Sequence, residues 1–277
     1  MIDSHCHLDD PVFDGDRAEV FARAASAGVR GMLIPAIRPR TWPALAALPA
    51  RYPIAPVAIA LGVHPQIIPD LDDAERALAQ DATALAAALA AARTPATAAV
   101  GECGLDGGTG ERALQETIFR AHVRAARALG LPLVVHVLRA HDAAPRILRE
   151  ERAADVGGVL HSYSGPPELV PIYRDLGFVF SFAGAVTRAN ARRPIAAARA
   201  VPDALLLAET DAPDQAPGPL GARGRSEPAM VADVIAALAR IRDQPLADVA
   251  ASTATNALRV FAAAGAWRAT PPTTSSS

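Results

Sequence analysis

The sequence predicts a (β/α)8 TIM barrel, a fold of the α/β class. Short apolar runs recur along the chain, several of them are apolar at every position, and helix-like stretches fill the gaps between them. Strands that are covered on both faces show such continuous apolar runs, because helices pack on the outside of a parallel sheet. The strand-like runs lie near residues 1–4, 29–36, 55–62, 97–101, 131–135, 157–160, 177–182 and 204–208.

The stretches between these runs have helical composition, and three of them stop at a glycine, namely Gly28, Gly130 and Gly177. A glycine directly after a helix end is a C-cap signal, because it takes the left-handed conformation at little steric cost. An open doubly wound sheet is the alternative, but no glycine-rich phosphate loop follows the first strand. The helix-like stretches lie near residues 16–27, 41–50, 72–92, 111–129, 141–152, 167–176, 189–200 and 227–242, and a ninth lies near 246–263.

Length and composition favour one domain. The chain has 277 residues, of which 51% are hydrophobic and 20% charged, and these values suit a single barrel over residues 1–264. Residues 265–277 are rich in Thr, Pro and Ser and are predicted to form a disordered tail. The net charge of -2 excludes a broad basic face of the kind that wraps long nucleic acid.

The chain contains no lysine, so its 27 basic residues are all arginines. This excludes Schiff-base catalysis by a lysine. It also excludes a carboxylated lysine as a bridge between two metal ions. A bridging ligand must therefore be a carboxylate such as Glu102.

The cysteines and the N-terminus indicate the compartment. Cys6 and Cys103 adjoin candidate metal ligands and do not have the spacing of a disulfide framework, which favours a reducing compartment. The N-terminal residues lack the basic and apolar regions of a signal peptide, and the apolar runs are too short to span a bilayer. We expect a cytoplasmic monomer with no membrane partner.

Residue types that bind metal ions stand at or just past the ends of the apolar runs. Residues two apart on a strand point to the same side, so His5 and His7 are both expected to face the barrel mouth. A barrel brings the carboxyl ends of all its strands to one face, where such side chains can share cations. The candidate metal ligands are His5, His7, Glu102, His136, His161 and Asp211.

Six ligands exceed what one tetrahedral ion needs, so the sequence predicts two divalent cations. Imidazole and carboxylate ligands together admit Mg, Mn or Zn. In this interpretation a hydroxide that bridges the cations is the nucleophile of a hydrolysis, and Asp211 accepts the proton of the water. We expect Glu102 to bridge an ion held by His5, His7 and Asp211 and an ion held by His136 and His161.

Five motifs of the chain resemble the TatD family of metal-dependent deoxyribonucleases, which belong to the wider amidohydrolase-like barrels. The similarity runs in order from residue 1 to about Phe261 and implies a two-metal hydrolase with deoxyribonuclease-type activity. The ligand pattern of the family falls on the six residues named above. The motifs are Ser4-His5-Cys6-His7-Leu8-Asp9, Gly62-Val63-His64-Pro65, Gly101-Glu102-Cys103-Gly104-Leu105-Asp106, Leu160-His161-Ser162-Tyr163-Ser164-Gly165 and Glu209-Thr210-Asp211-Ala212-Pro213.

The chain departs from the common family pattern at the rim of the barrel. Gly107-Gly108-Thr109-Gly110 stands where many relatives have a tyrosine-rich segment, and Val137-Leu138-Arg139 stands where Cys-Arg-Asp is frequent. Asp214 occupies a position where tyrosine is frequent. These departures leave the ligand pattern intact and bear on the substrate.

Further residues are candidates for supporting roles. Glu209 is predicted to orient a metal-binding histidine, with an ion pair to an arginine as the alternative. His64 is predicted to contact substrate phosphate or the ligands without binding metal, and a packed structural histidine is the alternative. His122 is interpreted as a surface or packing histidine. Arginines in post-strand loops would clamp phosphate, with a solvated surface arginine as the alternative in each case; they are Arg139, Arg223 and Arg225.

Three functions remain open at this point. The first is a metal-dependent phosphodiesterase of the 3'-5' exonuclease type that acts on DNA ends or short oligonucleotides. The second is a hydrolase of the same barrel type acting on a small phosphoester, amide or lactone. The third is a non-catalytic metal-binding protein, which requires a coordinatively closed site. The aromatic content of 4% favours short or end-bound substrates, because base-stacking platforms are scarce.

Overall fold

In the computed structural model, which describes residues 1–54, 56–218, 224–262 and Trp267, the chain forms a parallel sheet of seven strands. Strands that are neighbours in the sheet are also neighbours along the chain. Six strands are buried throughout and the fourth over its first half, because the sheet curls around a core and helices cover its outside. The strands are β1 (Met32–Pro35), β2 (Val57–Leu61), β3 (Thr97–Asp106), β4 (Leu133–Leu138), β5 (Gly158–Leu160), β6 (Phe178–Phe182) and β7 (Leu206–Ala208).

The N-terminal segment closes the sheet into a barrel. The backbone N–H of Asp3 donates to Gly31 (3.0 Å), and the N–H of Ser4 donates to Ala208 on the far edge (3.1 Å). The prediction of a TIM barrel is therefore confirmed, but the strand predicted near residues 1–4 is reduced to a bridge between Asp3 and Met32. The ladder stops because His7 donates its backbone N–H beyond β7, to Ala212 (2.6 Å).

Helices follow the predicted order. The stretch predicted as one helix near 72–92 is two helices, because Asp81 interrupts it and caps the second by accepting the backbone N–H groups of Thr83 and Ala84. The helices are α1 (Arg17–Ser26), α2 (Trp42–Arg51), α3 (Asp73–Gln80), α4 (Ala82–Ala92), α5 (Arg112–Leu129), α6 (Ala144–Glu150), α7 (Val170–Asp175), α8 (Arg192–Ala200), α9 (Val231–Arg242) and α10 (Leu246–Val260).

The last helix packs against the barrel at the start of β7. The amide of Asn256 on α10 donates to the backbone carbonyls of Asp203 (2.7 Å) and Leu206 (3.0 Å). Phe261, just after α10, packs in one buried cluster with side chains of the strands. This helix therefore lies away from the carboxyl ends of the strands, and the opposite mouth remains open for a functional site.

His122 is fully buried in α5 and supports the loop after β2, so the packing interpretation holds and the surface interpretation is wrong. The ring lies between the carbonyl of Ile118 (Nδ1 to O, 2.8 Å) and the backbone N–H of Val63, which donates to Nε2 (3.1 Å). Burial lowers the pKa of His122 to about 4, so the ring is neutral and accepts this bond at neutral pH. The contact fixes the backbone directly before His64.

Within the described ranges, no helix has the length and apolar character needed to cross a membrane. The predicted disordered tail, residues 265–277, lies outside the described residues apart from Trp267, and so does the domain boundary predicted at residue 264. Both stay predictions.

Candidate metal centre

The carboxyl ends of the strands surround a cavity of about 1020 Å³. The structure brings all six predicted metal ligands together at this cavity. Five of them line it, and His5 is buried against them with an exposed fraction of 0%. They come from the N-terminal segment (His5 and His7), from β3 (Glu102), from β4 (His136), and from the residues after β5 (His161) and β7 (Asp211).

An irregularity in β3 places Glu102 at the centre of the group. The pairing of β3 with β4 shifts register between Val100 and Cys103, and such an irregularity redirects a side chain at a barrel rim. Gly101 has a φ of 144°, and a Cβ at this position would lie 2.5 Å from the carbonyl oxygen of Val134. The chain therefore needs glycine directly before Glu102.

The two carboxylate oxygens of Glu102 face separate pairs of histidines. Oε2 lies 3.1 Å from Nε2 of His5 and 3.4 Å from Nε2 of His7. Oε1 lies 3.2 Å from Nδ1 of His136 and 2.7 Å from Nε2 of His161. Glu102 thus divides the group into two halves and belongs to both.

Asp211 stands at the edge of both halves. Its Oδ1 lies 3.6 Å from Nε2 of His5, 3.9 Å from Nε2 of His7 and 3.9 Å from Nδ1 of His161. Its backbone has a φ of 56°, in the left-handed region that aspartate tolerates better than most residues. The side chain is 14% exposed, whereas Glu102 is fully buried, so Asp211 offers an oxygen to the cavity.

The donor set fits divalent cations. Nε2 of His5 and Nε2 of His7 lie 3.1 Å apart, and Nδ1 of His136 and Nε2 of His161 lie 3.0 Å apart. Both oxygens of Glu102 are buried without a hydrogen bond of good geometry. Ligands about 2.1 Å from a tetrahedral ion stand about 3.4 Å from one another, close to these spacings. Converging lone pairs of this kind indicate cation binding, because a neutral imidazole carries a proton on only one nitrogen.

The charges of the group are strongly coupled. Burial opposes ionisation of Glu102, yet the surrounding imidazoles hold its pKa well below its usual range. Burial lowers the pKa of His7, but its contact with Glu102 outweighs that effect and raises the pKa to about 9. His7 thus holds a proton against a buried carboxylate, and a divalent cation would compete with that proton for the same nitrogen.

His64 also reaches Glu102, and with Glu102 and His136 it forms a further group of atoms able to surround an ion. Nδ1 of His64 accepts the backbone N–H of Gln66 (3.1 Å), so the neutral ring carries its proton on Nε2, 2.8 Å from Oε1 of Glu102. Burial lowers the pKa of His64 to about 4, which keeps the ring neutral. A nitrogen that carries a proton cannot bind a metal ion, so this tautomer disfavours ligation by His64. The predicted contact with substrate phosphate stays a prediction.

Asp106 is a functional candidate for which the sequence assigned no role. Its Oδ2 lies 3.3 Å from Nε2 of His136 and accepts the amide of Gln66 (2.6 Å). The contact with His136 holds the pKa of Asp106 below its usual range. A carboxylate at Nε2 keeps the proton there and leaves Nδ1 of His136 free to face Glu102, which is a common support of metal-binding histidines.

We expect Asp106→Asn to weaken cation binding by about 10- to 100-fold, because the amide no longer holds the ring of His136 in one orientation and tautomer. The affinity is measured by competition with a chromophoric chelator. Asp142→Asn is the matched control, since this aspartate follows β4, the strand of His136, but is 81% exposed and lies outside the group. Wild-type affinity in Asp106→Asn would show that His136 needs no such support.

Glu209 is fully buried beside His161. Its Oε1 accepts the backbone N–H of Ser162 and lies 3.6 Å from Nδ1 of His161, while Oε2 has no hydrogen-bond partner. Among the described residues Glu209 makes no ion pair with an arginine. Glu209 therefore lies where it could orient the ring of His161, and this role stays a prediction.

Gln215 and Ser162 were not predicted. The amide of Gln215 donates to Oδ2 of Asp211 and to the hydroxyl of Ser162, each at 2.5 Å. This contact leaves Oδ1 of Asp211 to face the histidines. The sequence carries one signal for Gln215, its place four residues after Asp211.

Two of the three predicted arginines, Arg139 and Arg225, do not line the cavity. Arg225 binds both oxygens of Asp16 (2.7 and 2.5 Å) and stands over the ring of Phe13, so a structural ion pair occupies its guanidinium group. Arg139 is exposed and does not line the cavity, because it leaves β4 with a φ of 50°. Arg223 lies outside the described residues.

Comparison with known proteins identifies the family. The family model described as "TatD related DNase" matches residues 2–262. The chain belongs to the TatD family. This confirms the resemblance that the motifs indicated, and the TatD chain is accordingly a member of a family of metal-dependent hydrolases.

Several TatD relatives span nearly the whole chain. The uncharacterized metal-dependent hydrolase YcfH of Escherichia coli (strain K12) is 36% identical, over 94% of this chain and 95% of the relative. The 3'-5' ssDNA/RNA exonuclease TatD of Edwardsiella piscicida is 32% identical, over 94% of this chain and 99% of the relative. The crystal structure of the TatD homologue YjjV from Escherichia coli K12 superimposes with a TM-score of 0.84 at 30% identity, and the match covers 95% and 98% of the two chains.

Proposed function

We propose that this TatD chain is a two-cation phosphodiesterase that removes nucleotides from DNA ends or short oligonucleotides. The observation that carries the proposal is the division of contacts at Glu102, whose two oxygens face separate pairs of histidines. A carboxylate in this position is typical of a bridge between two ions. The relative from Edwardsiella piscicida, described as a 3'-5' exonuclease, supports the choice of substrate.

Two sets of residues would hold the cations. One set is His5, His7 and Asp211, the other is His136 and His161, and Glu102 would belong to both. Mg, Mn or Zn suits these ligands. Divalent cations bound there would lower the pKa of a water molecule and offset the negative charge of a phosphate group.

Asp211 is the proposed proton acceptor. Its Oδ2 is held by the amide of Gln215, and its Oδ1 faces both halves of the metal centre at the edge of the cavity. A partly exposed carboxylate fixed in this way can take the proton of an attacking water and pass it to solvent. Glu102 cannot exchange protons with solvent as readily, because it is fully buried.

A small phosphoester is the second candidate substrate, and an amide or lactone would enter the same space. Several carboxylates line the cavity, and they repel a long polyanion; these are Asp9, Asp10, Asp14 and Asp214. A non-catalytic metal-binding role is less well supported, since His7 and Asp211 are open to the cavity.

The test is hydrolysis by metal-stripped protein refilled with Mg, Mn or Zn. The substrates are single-stranded DNA labelled at the 3' or the 5' end, a generic phosphodiester and a generic carboxylic ester. We expect refilled protein to release mononucleotides from DNA and stripped protein to release none. Turnover of the carboxylic ester alone would overturn the phosphodiesterase proposal and favour the second candidate.

A further inference from the structure

Arg188 differs from the other arginines that line the cavity. Three arginines line the cavity within the described part of the chain, namely Arg17, Arg51 and Arg188. Arg17 is occupied by the backbone carbonyl of Leu8 (2.6 Å) and the carboxylate of Asp14 (2.7 Å). Arg51 is exposed and lies over the ring of Tyr52.

The guanidinium group of Arg188 is only partly used. Nη2 donates to the carbonyl of Ala216 (3.0 Å), and Nε is buried without a hydrogen-bond partner. No carboxylate pairs with Arg188 in the ranges that the structure describes. A buried donor without an acceptor is costly, so an anionic ligand with several acceptor oxygens would relieve it.

The position of Arg188 is fixed relative to the metal centre. The hydroxyl of Thr187 accepts the backbone N–H of Gly218 (2.7 Å), which ties the turn after β6 to the segment after β7. Gly184 lies so close to that segment that a Cβ would stand 1.7 Å from the carbonyl oxygen of Gln215. Gln215 in turn donates a hydrogen bond to Asp211. The turn that carries Arg188 is therefore packed against the segment that holds a candidate metal ligand.

We propose that Arg188 binds a second phosphate group of the substrate, one that is not hydrolysed. The proposal rests on the proposed function and specifies its substrate as a nucleotide unit with a phosphate beside the scissile one. A guanidinium group is suited to this task because its charge strengthens each hydrogen bond that it donates to a phosphate oxygen. Within the described part of the chain, Nε and Nη1 of Arg188 donate no hydrogen bond.

The charge distribution around the cavity favours a substrate that extends from the metal centre towards Arg188. Asp9, Asp10 and Asp14 follow His7 and line the same cavity, so a phosphate chain is repelled from their side. Beyond Arg188, the chain carries Arg192 and Arg193 at the start of α8, and within the described part neither side chain has an ion pair or a hydrogen bond. Pro194, in the first turn of the same helix, lines the cavity, so these two positive charges stand near its rim and favour a polyanion on this side.

The test uses three thymidine dinucleotides, d(TpT), d(pTpT) and d(TpTp), with cation-loaded protein. We expect the wild type to prefer one of the terminally phosphorylated dinucleotides over d(TpT) by about tenfold in kcat/KM, the effect of one charge-assisted contact. Arg188→Met should abolish this preference through KM, with a much smaller effect on d(TpT), which lacks the second phosphate. Arg188→Lys should retain part of the preference. Arg51→Met is the matched control and should keep the preference.

Two results would overturn the proposal directly: no preference in the wild type, or a preserved preference in Arg188→Met. A third is an equal loss of kcat/KM for all three substrates in Arg188→Met, because it would show that Arg188 acts only through its structural contact with Ala216. If the wild type hydrolyses no dinucleotide, the proposed function fails. Binding affinities measured by calorimetry then test separately whether Arg188 binds a second phosphate group. Thymidine 3',5'-bisphosphate should bind about tenfold more tightly than either monophosphate, and Arg188→Met should remove the difference. An unchanged difference contradicts the proposal.

Discussion

Glu102→Gln is expected to lower phosphodiester hydrolysis by about a thousandfold or more, since losing several kcal/mol of charge stabilisation at the reacting group has this effect. The amide keeps the shape of the side chain but removes the negative charge that both halves of the centre share. We expect the refilled variant to bind fewer cations per chain than the wild type. Activity on labelled DNA and metal content by mass spectrometry measure the two effects.

Two controls make the Glu102 result interpretable. Glu19→Gln changes the same functional group on the exposed face of α1 and should leave both activity and metal content unchanged. Circular dichroism shows whether Glu102→Gln is folded. A folded variant with wild-type metal content and wild-type rate would contradict the bridging role.

The largest expected effect on stability comes from Arg38→Met. Arg38 and Glu75 are 5% and 6% exposed, and the guanidinium group binds both oxygens of the carboxylate through Nε (3.1 Å) and Nη2. Removing one partner leaves a buried charge uncompensated, so we expect the free energy of unfolding to fall by about 3–5 kcal/mol. Urea denaturation measures this change.

The double variant Arg38→Met, Glu75→Leu separates charge from packing. It removes both charges and keeps the volume filled, so it should recover much of the stability that Arg38→Met loses. A double variant as unstable as the single one would show that packing around the long side chains dominates. A change below about 1 kcal/mol in the single variant would instead assign the pair the weight of a surface ion pair.

The order of elements could be predicted from the sequence because local composition reports burial on both faces of each strand. β6 lies at 178–182 where the apolar run near 177–182 predicted it, and α5 ends directly before Gly130 as its C-cap signal indicated. The break at Asp81 and the short N-terminal bridge were not predicted. Both depend on which backbone group accepts a hydrogen bond, and composition does not show this.

The convergence of the six candidate ligands was predicted for a different reason. Barrel topology alone brings residues at the carboxyl ends of strands together, so strand positions sufficed to name six side chains that meet at one mouth. Asp106 and Gln215 were missed because their roles depend on contacts with His136 and Asp211 across the mouth. Such contacts are set by side-chain direction and loop conformation, which strand order does not specify.

The sequence by itself determined the barrel, the family and the convergence of imidazole and carboxylate groups, since these follow from hydrophobic pattern and from residue types at strand ends. Only the tertiary structure decided which arginine is available to a substrate. The sequence cannot distinguish the side chains of Arg225, Arg139 and Arg188, because they are chemically identical. A carboxylate neutralises Arg225 and solvent surrounds Arg139, whereas Arg188 keeps an unpaired buried donor at the cavity, because no carboxylate of the described residues pairs with it.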